Sequence, residues 1–228
     1  METLTKNKIL IVEGEDEKRF FKEFLIFLGI YDVQILKYDG KNNLKNKLKV
    51  WIRDSNFKNI IAFGIIIDAD NNPYTTFQSV CDILKNVGLN SPQEMYIFSE
   101  GIPKIGIYVM PGNFKEGMLE DLCLKTVKDN PLISCVDDLI ECANKLYKEG
   151  KVKEFFGKYD YFKSRRFYRN NFLNSNGKIK NIAKARALAY LSIMPEIVNS
   201  VGIGAEKGYW NFESEELNEL RKFLENFR

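Results

Sequence analysis

The 228-residue chain carries 34 Lys and Arg against 31 Asp and Glu, is 45% hydrophobic and 29% charged, and has only 6 Pro and 15 Gly. That balance excludes disordered, collagenous and low-complexity classes, and the length fits a single α/β domain with an appendage. No histidine occurs anywhere, which removes Ser-His-Asp and Cys-His hydrolases, HExxH zinc sites and imidazole proton shuttles, and leaves chemistry to carboxylates, amines and hydroxyls. The four cysteines, Cys81, Cys123, Cys135 and Cys142, form no CxxC pair and sit among helix-periodic apolar residues, so buried free thiols are expected. The start METLTKNKIL lacks an apolar signal region, and the longest apolar stretch, Ile60 to Ile67, is too short to cross a bilayer. The expectation is a cytoplasmic protein with no membrane association.

In chain order, Ile9 to Val12 is a short apolar run ending in Glu13-Gly14, the pattern of a buried parallel strand. From Asp16 the period becomes helical, with Phe20, Phe21, Phe24, Leu25 and Leu28 on one face, Glu17, Lys18, Lys22 and Glu23 on the other, and Gly29 as the stop. Val33 to Leu36 reads as a strand, Leu44 to Trp51 as a helix, and Ile60 to Ile67 as a third strand that runs into Asp68-Ala69-Asp70. Phe77 to Val87 reads as helical. Met95 to Phe98 and Ile105 to Met110 flank Gly101-Ile102-Pro103 as a hairpin or a pair of edge strands.

This alternation predicts an α/β core over residues 1–112 with a mainly parallel sheet flanked by helices. Residues 113–228 then form a mostly helical, basic C-terminal extension packed on that core, with helices over Met118 to Val127 and Val136 to Tyr147. Between Lys151 and Tyr190 eleven Lys or Arg face two acids, a net +9 that leaves −6 on the rest of the chain. The overall +3 therefore conceals a polarised molecule suited to an anionic partner. The basic segment interleaves aromatics such as Tyr161, Phe162, Phe167 and Tyr168, which either stack on bases or build a small core. Lys163, Arg165, Arg166 and Arg169 are its candidate nucleic-acid-binding residues.

In an open parallel sheet, ligands bind outside the carboxyl ends of the strands. Glu13 ends the first predicted strand, and Asp68 and Asp70 end the third. Three carboxylates on one rim repel one another unless a cation compensates, and hard oxygen ligands select Mg²⁺ or Mn²⁺. Glu15 and Asp16 fit the first turn of the helix, where its dipole favours negative charge.

Leu10-Ile11-Val12-Glu13-Gly14-Glu15-Asp16-Glu17-Lys18, followed about fifty residues later by Ile67-Asp68-Ala69-Asp70, resembles the Toprim domain shared by topoisomerases, bacterial primases, ribosomal RNA maturation nucleases and OLD-type nucleases. The resemblance implies a Toprim-like Rossmannoid fold in which Glu13 works with Asp68 and Asp70 at a Mg²⁺ site for phosphoryl transfer. Pro111 to Leu122 and Gly204 to Trp210 look similar to small stand-alone bacterial Toprim-like proteins of unknown function. Many Toprim proteins carry a further acid two residues after the DxD, where this chain has Asn72. Glu120 or Asp121 could supply the missing metal ligand if their helix folds back over the rim, as the likeness to OLD-type proteins implies; otherwise they mark a solvated helix start.

The reading is a Mg²⁺-dependent phosphodiesterase or nuclease acting on nucleic acid, DNA or RNA, with Glu13, Asp68 and Asp70 as catalytic residues. One alternative is a non-catalytic, metal-stabilised nucleic-acid-binding or regulatory module. A haloacid-dehalogenase-type phosphatase also uses Asp-x-Asp, but near the chain start rather than on a third strand.

Overall fold

The computed structural model describes residues 2–40, 43–69, 71–158 and 181–228. Strands β1 (Lys8–Val12), β2 (Gln34–Lys37), β3 (Ala62–Asp68) and β4 (Lys104–Met110) form one sheet in the order β2-β1-β3-β4, with every pairing parallel. Helices α1 (Glu15–Phe27), α2 (Leu44–Trp51) and α3 (Pro73–Asn86) supply the crossovers. The described helices that follow are α4 (Leu119–Thr126), α5 (Leu132–Lys148), α6 (Lys151–Gly157), α7 (Ile182–Ser192), α8 (Val201–Glu206) and α9 (Asn218–Glu225).

Strands β1, β3 and β4 carry no charged residue except at one end because both faces of the sheet are covered there, while the edge strand β2 is half polar. Leu10, Val12, Ala62, Ile66, Tyr108 and Met110 point to one side and share a core with Phe20, Phe21 and Phe24 of α1 and with residues of α4, α5, α7, α8 and α9. Ile9, Ile11, Phe63, Ile65, Ile107 and Val109 point to the other, against Leu48 of α2 and Val80 and Leu84 of α3. The two-residue alternation along each strand assigns the faces. Because α1 lies on one face and α2 and α3 on the other, the winding reverses between the adjacent strands β1 and β3. That reversal is the topological switch point, the crevice where open α/β sheets bind ligands.

Gly64 and Gly106 are partners on β3 and β4, and together they leave a flat patch on the sheet. A Cβ at Gly64 would lie 2.7 Å from Phe227 Cζ, and one at Gly106 would lie 2.6 Å from Phe98 Cε2. Phe98 packs on Phe223 and Phe227 with ring centroids 4.9 and 5.6 Å apart. Described residues of α4, α5, α7, α8 and α9 thus complete the core on one side of the sheet. Helix α8 closes on α1 through Gly202, where a Cβ would stand 2.5 Å from the Asp16 carbonyl oxygen.

Expectations change at the start of α5, which begins at Leu132 rather than Val136, and at three further places. Met95 to Phe98 is not a strand: Tyr96 has φ 69°, which breaks an extended run. The segment still follows the edge of β4, with Tyr96 N donating to Ile107 O at 2.8 Å and Ser99 N to Ile105 O at 2.7 Å. Helix α3 starts at Pro73 rather than Phe77, because Asn72 caps it by accepting from Thr75 N at 2.9 Å and proline fits the first helical position. Cys81 and Cys123 are buried, but Cys135 and Cys142 are exposed. Helix α5 buries Ile133, Val136 and Ile140; Cys135 stands one position, about 100°, from Val136 and Cys142 two positions, about 200°, from Ile140, so both turn off the buried stripe. Among the described residues no helix is long and apolar enough to cross a membrane.

Candidate active site

Glu13 and Asp68 both stand at the carboxyl rim of the sheet, on the two strands that border the switch point. Glu13 directly follows β1, and its carbonyl accepts from Asp39 N at 2.9 Å. Its carboxylate oxygen Oε2 is buried and makes no hydrogen bond of normal geometry, and neither does the buried hydroxyl of Tyr38. The Tyr38 hydroxyl faces the acids: burial first, then the charges of Glu13, Asp68 and Glu17 and a hydrogen bond toward the Glu13 carboxylate, too distorted to be a good one, push its pKa far above that of an ordinary tyrosine. It stays protonated at every physiological pH. Glu13, Glu17 and Asp68 therefore all act on one buried phenol, an electrostatic measure of their convergence.

Asp68 closes β3 in register with Met110, and Ala69 N donates to Met110 O at 2.9 Å. Its Oδ1 accepts from Leu119 N, the first residue of α4, at 3.2 Å. The loop joining β4 to α4 is thus anchored at both ends on Asp68. The opening of α4 orients this carboxylate, and the positive end of the helix favours its charge.

At the start of α1, Gly14 is the cap residue, and its N–H donates to the Glu17 carboxylate at 3.0 Å. Burial raises the pKa of Glu17; hydrogen bonds to the backbone oppose the rise, and the charges of Glu13 and Asp16 add to it. Glu15 instead reaches outward to Lys37 at 3.2 Å. Asp16 Oδ1 accepts from Gly202 N at 3.4 Å, tying α1 to α8. Capping by the acidic first turn thus falls to Glu17, which sequence reasoning had left on the polar face. The available signal was the spacing of Gly14 and Glu17, that of a capping box. No comparable signal marked Tyr38.

The adjacent acids of α4 divide. Asp121 accepts from the N–H of the cap residue Met118 at 3.0 Å. Glu120 has its pKa raised, by burial first and by Glu17 and Asp16 to a smaller degree, while Lys184 of α7 opposes the rise. Glu120 therefore belongs electrostatically with the α1 acids. Asn72, at the position where the sequence pattern leads to a further acid, is the cap of α3. Among the described residues, no group of three or more Cys, Asp or Glu side chains is gathered closely enough to hold a metal ion. Asp70, Lys163, Arg165, Arg166 and Arg169 lie outside the described residues.

A family model described as "Protein of unknown function (DUF3226)" matches residues 7–228, and the chain belongs to that family. Among solved structures the chain is similar to the C-terminal region of the Xanthomonas campestris pv. campestris OLD protein, at 15% identity over 97% of this chain and 98% of that one, with a TM-score of 0.36. Comparison with the curated proteins finds no match.

Proposed function

We propose that the chain is a Mg²⁺- or Mn²⁺-dependent phosphodiesterase acting on nucleic acid, with its centre at Glu13 and Asp68. The observation that carries this reading is the buried Oε2 of Glu13, which makes no hydrogen bond of normal geometry, at the switch point that Asp68 borders. A buried carboxylate oxygen with no well-formed hydrogen bond costs about 1–3 kcal/mol, and the charge of Glu17 nearby adds to that cost. A hard divalent cation removes both, and the all-oxygen donor set fits one. Asp70 and Glu120 are proposed as further ligands, with Asp121 the lesser candidate because its carboxylate already caps α4.

When bound, such an ion polarises a phosphate oxygen and lowers the pKa of a coordinated water. The remaining roles belong to the chain. Leu119 N–H holds Asp68 in orientation. The Tyr38 hydroxyl, kept neutral, is a hydrogen-bond donor beside Glu13, which either ligates the ion or accepts a proton from the attacking water. Lys163, Arg165, Arg166 and Arg169 are proposed to neutralise substrate phosphates.

A second reading is a metal-stabilised binding module without catalysis, which the same rim carboxylates would serve. Cleavage of labelled single- and double-stranded DNA and RNA in Mn²⁺ separates the two readings. Catalysis predicts cutting that Asp68→Asn abolishes together with the Mn²⁺-induced rise in melting temperature. Binding and stabilisation without cutting establish the module instead. An unchanged Mn²⁺ response in Asp68→Asn refutes the site.

A further inference from the structure

Two aromatic rings lie open to solvent on the same rim. Tyr74, in the first turn of α3, and Phe114, in the loop between β4 and α4, are 61% and 50% exposed. Their rings are nearly parallel, with centroids 5.7 Å apart and planes 12° from coplanar. Offset stacking of this kind is ordinary inside a core, but here it leaves broad ring surface in water.

The placement of Phe114 is enforced. Asn113 and Phe114 have φ of 53° and 55°, the left-handed region that residues with a Cβ seldom occupy, and two in succession need outside support. Asn113 N donates to Glu219 Oε2 at 2.8 Å, and Phe114 N donates to the Tyr96 hydroxyl at 3.3 Å. The Tyr96 ring stands edge-on to Phe114 at 5.3 Å and continues inward to Tyr108 at 4.9 Å. Burial of Phe114 does not compensate for this backbone, because the ring is pushed outward. The strained loop presents a ring to solvent and braces it from behind.

The position is close to the candidate active site. Both ends of the loop that carries Phe114 land on Asp68, through Met110 and Leu119, and Phe114 is four residues from Met110, a reach of at most about 14 Å. Tyr74 sits six residues past Asp68, on a helix whose start is tied to Ala69 by the Thr76 hydroxyl at 3.1 Å.

We propose that Tyr74 and Phe114 form a stacking platform for an unpaired nucleobase, so that the substrate is single-stranded or locally unpaired nucleic acid. This rests on the nucleic-acid reading above and specifies its substrate. A base offers a flat π-face of matching size, and stacking is indifferent to sequence. Two ring faces present far less than the roughly 1,000 Å² that a stable protein interface needs, which argues against a second copy of the chain as the occupant.

The test is fluorescence anisotropy with Ca²⁺ in place of Mg²⁺, so that binding is read without turnover. The probes are a labelled single-stranded oligonucleotide, the same strand carrying abasic sites, and its blunt duplex. Wild type is expected to bind the intact single strand most tightly. The double variant Tyr74→Leu/Phe114→Leu, folded by circular dichroism, is expected to lose roughly 5- to 150-fold in affinity for that strand alone, and Tyr74→Phe is expected to retain it. Equal wild-type affinity for all three probes, or no loss in the double variant, overturns the platform and leaves nucleic-acid binding standing. No binding by wild type overturns both. Self-association that the double variant abolishes in sedimentation would assign the rings to a second copy and overturn the proposal.

Discussion

Glu13→Gln is the substitution that most directly tests the rim. It keeps the shape of the side chain and its reach to the Tyr38 hydroxyl, and it removes a negative charge that acts on Glu17 and Tyr38. In wild type Glu13 Oε2 is buried with no hydrogen bond of normal geometry, so little offsets the repulsion from the acids around it. Removing that charge should recover about 1–2 kcal/mol, the equivalent of about one pKa unit of like-charge repulsion. For a chain of this size each kcal/mol moves the midpoint by about 2–4 °C, so Glu13→Gln should melt about 2–8 °C above wild type in EDTA. In saturating Mn²⁺ the order should reverse, because wild type gains binding energy that the variant has lost. Differential scanning calorimetry with and without Mn²⁺ measures both. A variant less stable than wild type in EDTA would show that Glu13 is satisfied in the native state and would remove the argument for a cation there.

Gly64→Ala should destabilise by about 1–3 kcal/mol in urea denaturation through overpacking against Phe227, and the penalty should shrink markedly in a Phe227→Leu background; strict additivity would mean that the two do not meet. The raised pKa of Glu17 means that the folded state holds a proton the unfolded chain releases above its ordinary value of 4.5, so stability is lost as pH rises from there through the folded pKa. Glu17→Gln should therefore gain on wild type over that interval in denaturation at successive pH values, and a constant difference would refute the shift. Asn72→Ala should cost about 1 kcal/mol and Asn72→Asp almost nothing by thermal melting, since both Asn and Asp cap helices; equal losses would deny the cap. A water-soluble thiol reagent should titrate Cys135 and Cys142 in the native protein, and Cys81 and Cys123 only after denaturant is added.

The apolar runs of β1 and β3 were legible in the sequence because strands buried on both faces need no polar alternation, and α2 was legible over its whole length, Leu44 to Trp51. Glu13 and Asp68 were legible as rim residues because each follows such a run directly. The start of α3 was missed because Asn72-Pro73 reads as a turn until Thr75 N is seen to need an acceptor. Met95 to Phe98 misled because its composition suits a strand, while the positive φ of Tyr96 is set by tertiary contacts that no local pattern encodes. The division of labour between Glu120 and Asp121 was illegible for a similar reason. Adjacent positions on a helix differ by about 100°, and only the packing of α4 against α7 decides which of them meets the α1 acids.

The flat patch at Gly64 and Gly106 also bears on how the protein is made. When the ribosome has released the sheet-forming half of the chain, all four strands are present, but the Phe227 ring that lies over Gly64 and the Phe223 ring that packs on Phe98 have yet to be synthesised. Until they arrive, the apolar face around Gly64 stays open to water, a surface on which nascent chains associate. Contacts between residues so far apart in sequence also slow folding, since the loop they close must be ordered before they reward it. The sheet is thus assembled early and sealed last, and its solubility during synthesis depends on how soon the final helix docks.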